Sequence, residues 1–416
     1  MPQMGYLWGS TMGGVTRGGE VGSLRERRGE RYPLGAALTI AELETDPHPF
    51  LARLREREPV SWTRVLDSWL VTRRDLALTV MGDSEAFTVD DERFSTARVV
   101  GRSMLSTDGA EHARHRRPFG PPFQADAVRE RFAGLVAAET DLLLDSIRPD
   151  GRADLRGSFS GPLAASVVTR ALGLDDANAD NALGWYRAIV DGVSRITAGE
   201  QITDAARHAF DELRSHAGTA VDLRPESMLA VAVAADRSTS REEAISNAAV
   251  IMFGGIETTD GMIANAIFHL LCHPDQAELV AREPSLLQWA IEESLRLEPA
   301  AAVVDRYATR NVTLADAEIR RGDKVTVSIA AANRDPATFA DPDRFDVRRA
   351  NVQRHAAFAR GPHVCVGMHL ARLEAHTAVG RALETLPGLA LDGSPEDAAP
   401  RGLVFRKPRV LPVRWG

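Results

Sequence analysis

Cysteine is nearly absent from this chain. There are two in 416 residues, and their settings differ: Cys272 follows two leucines and precedes His273-Pro274, whereas Cys365 sits in a loop punctuated by glycine. So few thiols exclude a disulfide framework and a cysteine-rich zinc site, and they suit a reducing, cytoplasmic compartment. Lysine is almost as scarce: only Lys324 and Lys407 occur, so nearly all positive charge is arginine. The net charge of −8 argues against nucleic acid as a bulk partner. Residues 1–30 lack the apolar core of a secretory signal. The longest apolar segment, residues 248–271, could span a bilayer by length, but Glu257, Thr258, Thr259, Asp260 and Asn265 interrupt its centre. It reads as a buried helix, and no membrane partner is expected. Hydrophobic content of 44% with 26% charged residues fits a globular body.

What is present is mostly helical periodicity. Residues 1–35 read as a disordered leader, and residues 36–416 as one domain, mostly α with a small β portion. Residues 46–56 form a capped amphipathic helix, followed by paired strands at 59–62 and 68–72. Helical spacing continues from Asp126 to His216, with turns at 148–151 and 173–176. A long helix runs from Arg241 to His273, stopped by Pro274, and another from Pro284 to Leu297, stopped by Pro299. Strands follow at 313–319 and 325–329, then a helix at 368–386 and an extended tail at 403–413.

The stretch Phe358-Ala-Arg-Gly361-Pro-His363-Val-Cys365-Val-Gly367 has the features a single-thiolate metal site requires. Gly361 and Gly367 let the backbone turn tightly and approach a flat ligand. A helix starting just beyond Cys365 favours the charged sulfur, and Phe358 can cover it from water. The pattern F-x-x-G-x-H-x-C-x-G resembles the haem-binding loop of the cytochrome P-450 family, in its soluble bacterial type. The resemblance implies that family's fold, a single triangular-prism-like domain around a long central helix, and haem b with the Cys365 thiolate as axial iron ligand. One departure is visible: Ala359 stands where the family usually has glycine.

Four further segments follow the family pattern in order. Phe253-Gly254-Gly255-Ile256-Glu257-Thr258-Thr259 resembles the distal [AG]-G-x-[DE]-T motif, which implies that Glu257 and Thr258 manage protons during oxygen activation. From the residues alone, paired glycines weaken the helix there, and a threonine hydroxyl can bond back one turn and bend it. Glu293 and Arg296 match E-x-x-R, a structural pair closed by a further arginine, with Arg344 or Arg348 as candidates. Ala331-Ala-Asn-Arg-Asp-Pro336 resembles an architectural signature. His112, Arg116, Arg306 and His363 match positions that contact the haem propionates, a task suited to bidentate arginine.

By family topology, Val99, Val100, Met104, Leu105, Phe253, Gly254, Ala301, Val303 and Val304 line an apolar distal pocket, together with the helical region 185–196. The resemblance implies a monooxygenase that inserts one atom of dioxygen into a small, largely apolar substrate, in secondary metabolism or catabolism. Electrons would come from NAD(P)H through a separate ferredoxin and reductase, with Arg114, Arg117, Arg360 and Arg372 as a basic docking patch on a monomer. The alternatives are a peroxide-driven or coupling catalyst on the same haem, and a non-catalytic haem sensor. The Glu257–Thr258 pair argues against the peroxide-driven reading alone.

Overall fold

The computed structural model describes residues 18–174, 179–197, 201–235 and 239–416. Helices pack around one central helix, Arg241–Cys272. Ser240 starts it with a capping box: its hydroxyl accepts the Glu243 N–H, and Glu243 accepts the Ser240 N–H in return. His273-Pro274 ends it. Neighbours cover the central helix along most of its length, chiefly the helices Gly161–Leu172, Leu287–Leu297 and Met368–Thr385. This explains an apolar run with no polar face. Despite Gly254 and Gly255, the helix is continuous. Gly255 serves packing, since a Cβ there would come within 2.8 Å of Val168.

The small β portion is a five-stranded sheet in the order Val60–Thr63, Ser68–Val71, Lys324–Ser328, Val303–Ala308, Phe87–Thr88. Ser68–Val71 runs parallel to Lys324–Ser328, and the other pairings are antiparallel. The strand expected at 313–319 is instead a hairpin, Val312–Leu314 and Ala317–Ile319, turned at Ala315 with φ 52°. The tail strand Pro412–Arg414 pairs with Arg152–Asp154 and Ala390–Leu391. Gly151 and Gly173 turn with positive φ at the two expected turns, although residues 175 and 176 lie outside the described residues.

The expected leader is corrected from Gly18 onward. Gly18–Arg31 and Pro33–Ala36 are helical. The physical reason is aromatic. The buried Arg28 guanidinium lies over Trp62 and Trp69, at 4.6 and 5.0 Å, and bonds Asp323. Tyr32 packs edge-on against Trp69 and donates to the Asp316 carbonyl. The rest of the leader, residues 1–17, lies outside the described residues. Among the described residues, no helix is long and apolar enough to cross a membrane.

Candidate active site

The cysteine loop is held by its backbone. Gly361 adopts φ +73°, and a Cβ there would meet the Met81 carbonyl oxygen at 2.5 Å. Ala359 also has positive φ, +59°. The Cys365 N–H donates to the Phe358 carbonyl at 2.9 Å, which closes the loop on itself. Burial pushes the Cys365 thiol up, although the Gly367 N–H, Arg116 and Arg372 pull it the other way. Burial outweighs these pulls, and a bound metal cation would add charge compensation that favours the thiolate. Phe358 is itself clamped. The Arg372 guanidinium lies 4.5 Å above its ring, and His355 packs beside it at 6.0 Å. Both are tied to the buried Glu292, Arg372 at 2.6 and 2.9 Å and His355 at 2.9 Å. No spacing rule in the sequence pointed to Glu292 or His355.

Cys365, Phe358 and Gly367 face a cavity of about 1270 Å³, whose lining on the central helix includes Phe253, Gly254 and Thr258. Gly367 turns with an ordinary φ of −87°, so the turn there does not itself require glycine. A Cβ at 367 or 254 would come within 4 Å of nothing among the described residues beyond its own stretch of backbone. Both glycines instead leave open space, as close approach of a flat ligand requires. A cationic rim matches such a ligand's carboxylates. Arg306 is 5% exposed and lines the cavity, using one N–H on the Asp305 carbonyl at 2.8 Å, while its guanidinium carries five donors. Burial lowers its pKa against the opposing pull of Asp108 and Asp305. His363 also lines the cavity, with Nε2 2.8 Å from Asp108. Burial disfavours the Asp108 carboxylate, but His363, Thr88 and Val89 outweigh it and hold its pKa low. Arg116 lines the cavity and donates to the Val364 carbonyl at 2.6 Å. His112 is placed differently. Its ring bridges the Met104 and Pro362 carbonyls at 2.8 and 3.0 Å, tying its helix to the cysteine loop. The residues thus fit haem: Cys365 would ligate its iron, and Arg116, Arg306 and His363 would meet its carboxylates.

On the central helix, Thr258 Oγ1 donates to the Gly254 carbonyl at 2.6 Å, the expected back-bond. Glu257 is 8% exposed and ion-pairs with Lys407 at 2.9 Å. Glu293 and Arg296 are fully buried and paired at 2.7 Å. The third arm is neither candidate but Arg349, whose Nε reaches Glu293 at 2.9 and 3.1 Å. Arg344 contributes only its carbonyl, and Arg348 pairs with Glu283 outside.

Of the expected pocket residues, Met104, Leu105, Phe253, Gly254, Ala301, Val303 and Val304 line the cavity. Val99 and Val100 are instead in the core, because their short helix, Ser95–Val100, packs against the helices Ala179–Thr197, Asp204–Leu223 and Arg241–Cys272. The 185–196 region contributes Val190 and Val193. The tail residues Leu403, Val404 and Phe405 also line the cavity; they were legible only as an extended segment. They reach it because Ala302 N–H bonds the Val404 carbonyl and Ala301 bridges to Phe405. In the expected basic patch, Arg114 is committed to Glu243 at 2.6 and 2.9 Å and Arg372 to Glu292, while Arg360 is exposed.

Comparison with known proteins agrees with this geometry. The family model described as Cytochrome P450 matches residues 196–410. The chain is 34% identical to Cytochrome P450 monooxygenase PikC of Streptomyces venezuelae, over 90% of this chain and 92% of that one. It is 34% identical to Mycinamicin IV hydroxylase/epoxidase of Micromonospora griseorubida, over 87% and 94%. The solved structure of CalO2 superposes with a TM-score of 0.83 at 32% identity, covering 89% of this chain and 96% of that one. The chain therefore belongs to the cytochrome P450 family of haem-thiolate monooxygenases.

Proposed function

We propose that this protein oxidises a small, largely apolar secondary metabolite, with Cys365 as the axial ligand of haem b and electrons supplied from NAD(P)H by a separate ferredoxin and its reductase. The observation that carries this reading is a single cavity lined at once by Cys365, Thr258 and an apolar wall that includes Phe253, Val303, Val304 and Phe405. Haem, when bound, supplies the activation of dioxygen; the thiolate tunes it through the iron. The chain's own residues do the rest. The apolar wall orients a C–H bond and excludes water. Thr258 Oγ1, its proton directed to the Gly254 carbonyl, presents its lone pairs as acceptors on the cavity side. Glu257 is the acid one residue away. Arg116, Arg306 and His363 would hold the propionates.

Hydroxylation or epoxidation is the reaction favoured by the name of the mycinamicin relative. An acidic ferredoxin suits the face beside the cysteine loop, where Arg74, Arg354 and Arg360 are close enough that, after burial, the last two lower the pKa of Arg74. We expect a cytoplasmic monomer.

The deciding test is Cys365→Ser in haem-loaded protein. Loss of the red-shifted Soret band of the reduced carbon monoxide adduct is expected. Retention of that band would overturn the thiolate assignment. Turnover with peroxide, but not with a ferredoxin system, would move the reading to a peroxide-driven enzyme.

A further inference from the structure

Lys407 is one of two lysines in the chain, and it is buried against the central helix at the position of the assigned acid. Its ammonium lies 2.9 Å from Glu257 and 2.7 Å from Asp260. The two acids are three residues apart and share one helix face. Thr258 and Gly254, on a different face, line the cavity, so Glu257 in this arrangement is turned to the lysine. Asp260 has further partners of its own: Arg156 Nε at 3.1 Å and the Ser160 hydroxyl at 2.6 Å. Burial works against its carboxylate, but Lys407 and Arg156 outweigh it and hold its pKa low.

The backbone that carries the lysine is held in place. Arg406, the residue before it, bonds Glu298 and the carbonyls of Leu43, Glu44, Pro400 and Gly402, and so pins the tail. Lys407 also exchanges backbone bonds with Arg401. Its stem passes Gly261, where an added Cβ would come within 3.5 Å of Lys407 Cβ and Cδ. Breaking a buried ion pair by removing one partner leaves an uncompensated charge and is strongly unfavourable. A single acid held by a fixed, buried lysine would therefore be locked in place. A second acid already in contact changes that.

We propose that Lys407 and Asp260 form a two-acid latch on Glu257: the lysine holds Glu257 away from the cavity as a carboxylate, and Asp260 keeps the lysine compensated whenever Glu257 turns toward Thr258. Lys407 and Asp260 are positioning residues, and no bond is made or broken in the exchange. The inference rests on the reading of Glu257 as the proton-relay acid.

With only two lysines, ¹⁵N-lysine labelling gives one side-chain resonance for each. The haem-loaded protein in its diamagnetic ferrous carbon monoxide form is expected to show a Lys407 ammonium signal that exchanges slowly with solvent. In Glu257→Gln the latch requires this signal to persist, because Asp260 alone still compensates the lysine; its disappearance overturns the latch. In Asp260→Asn, Glu257 becomes the only carboxylate on Lys407. The signal is expected to move. With a plant-type ferredoxin, its reductase and NADPH, and no organic substrate, dioxygen leaves either as hydrogen peroxide (two electrons, two protons) or as water (four electrons, four protons). Slower proton delivery to that dioxygen should raise the peroxide share in Asp260→Asn about twofold or more, less than the roughly 10²–10⁴-fold a positioned acid itself can supply. Glu257→Gln serves as the control. If it raises peroxide while Asp260→Asn behaves as wild type with an unmoved lysine signal, the latch is wrong and the acid assignment stands. If Glu257→Gln partitions electrons as wild type does, the acid assignment fails and the latch falls with it.

Discussion

Arg349 reaches back 56 residues to place its Nε 2.9 and 3.1 Å from the two oxygens of Glu293, which already holds Arg296 at 2.7 and 2.9 Å. One fully buried carboxylate thus compensates two guanidinium groups, and both arginines also donate to backbone carbonyls of the 333–344 segment, among them those of Pro342 and Arg344. The network fixes the stretch that leads into the cysteine loop.

Removing the shared carboxylate leaves both cations uncompensated. Glu293→Ala is expected to cost about 3–5 kcal/mol of stability, read as a large fall in melting temperature of the haem-loaded protein. Arg348→Ala breaks only the Glu283 pair, whose side chains are 55% and 48% exposed, and should stay within about 1 kcal/mol of wild type. Equal losses in the two variants would refute the assignment of Arg349 rather than Arg348 as the third arm.

Ala359 is the position where the loop departs from the family's glycine, and the structure gives it φ +59°. A Cβ in the left-handed region costs roughly 1–2 kcal/mol, partly offset by about 0.4–1 kcal/mol of extra chain entropy that glycine loses on folding. Ala359→Gly should therefore stabilise the protein by about 0.5–1 kcal/mol in thermal unfolding. An unchanged or lower melting temperature would mean the loop relaxes around alanine without strain.

How far the sequence carried the argument depended on how local each signal was. The central helix was legible end to end, because Ser240 with Glu243 starts it and Pro274 stops it within the same stretch. The cysteine loop was legible for the same reason, its glycines and Cys365 lying within ten residues of Phe358. Pairings across the fold were not. Nothing near Glu293 distinguishes Arg349 from Arg344 or Arg348, since only the path of the 341–349 segment decides which side chain turns inward. The helix of residues 18–31 was hidden because its stabilisation comes from Trp62, Trp69 and Asp323, far along the chain. His112 was legible only through the family resemblance, and the two distant backbone carbonyls that hold its ring leave no local signal.

Glu374 lines the cavity from the helix that follows the cysteine, is buried, and has an oxygen, Oε2, without a hydrogen-bond partner among the described residues. Burial raises its pKa well above the ordinary 4.5. The native state therefore keeps this proton at pH values where the unfolded chain has released it, so stability falls as pH rises from about 4.5 toward the raised value. Glu374→Gln cannot ionise. It should flatten that fall and raise the melting temperature at about pH 8 while changing little at about pH 5. Parallel pH profiles for the variant and wild type would show that Glu374 titrates normally in the folded protein.

Thr258 has two separable attributes, a back-bond to the Gly254 carbonyl and a hydroxyl at the cavity wall. Thr258→Ala removes both. The helix around it is otherwise buried and continuous, so the structural loss should be about 1 kcal/mol, the ordinary value of one hydrogen bond, and haem should be retained with its carbon monoxide band. What should change is the fate of electrons. Without the hydroxyl, proton delivery on the cavity side slows and a larger share of dioxygen leaves as hydrogen peroxide, by several-fold, less than the roughly 10²–10⁴-fold that a positioned acid or base can supply. Thr258→Ser keeps the hydroxyl and drops only the methyl, so it should partition electrons nearly as wild type. Thr258→Val keeps the shape and drops the hydroxyl, so it should follow alanine. If serine and valine variants release peroxide equally, the side chain acts through packing alone and the hydroxyl has no part in the chemistry.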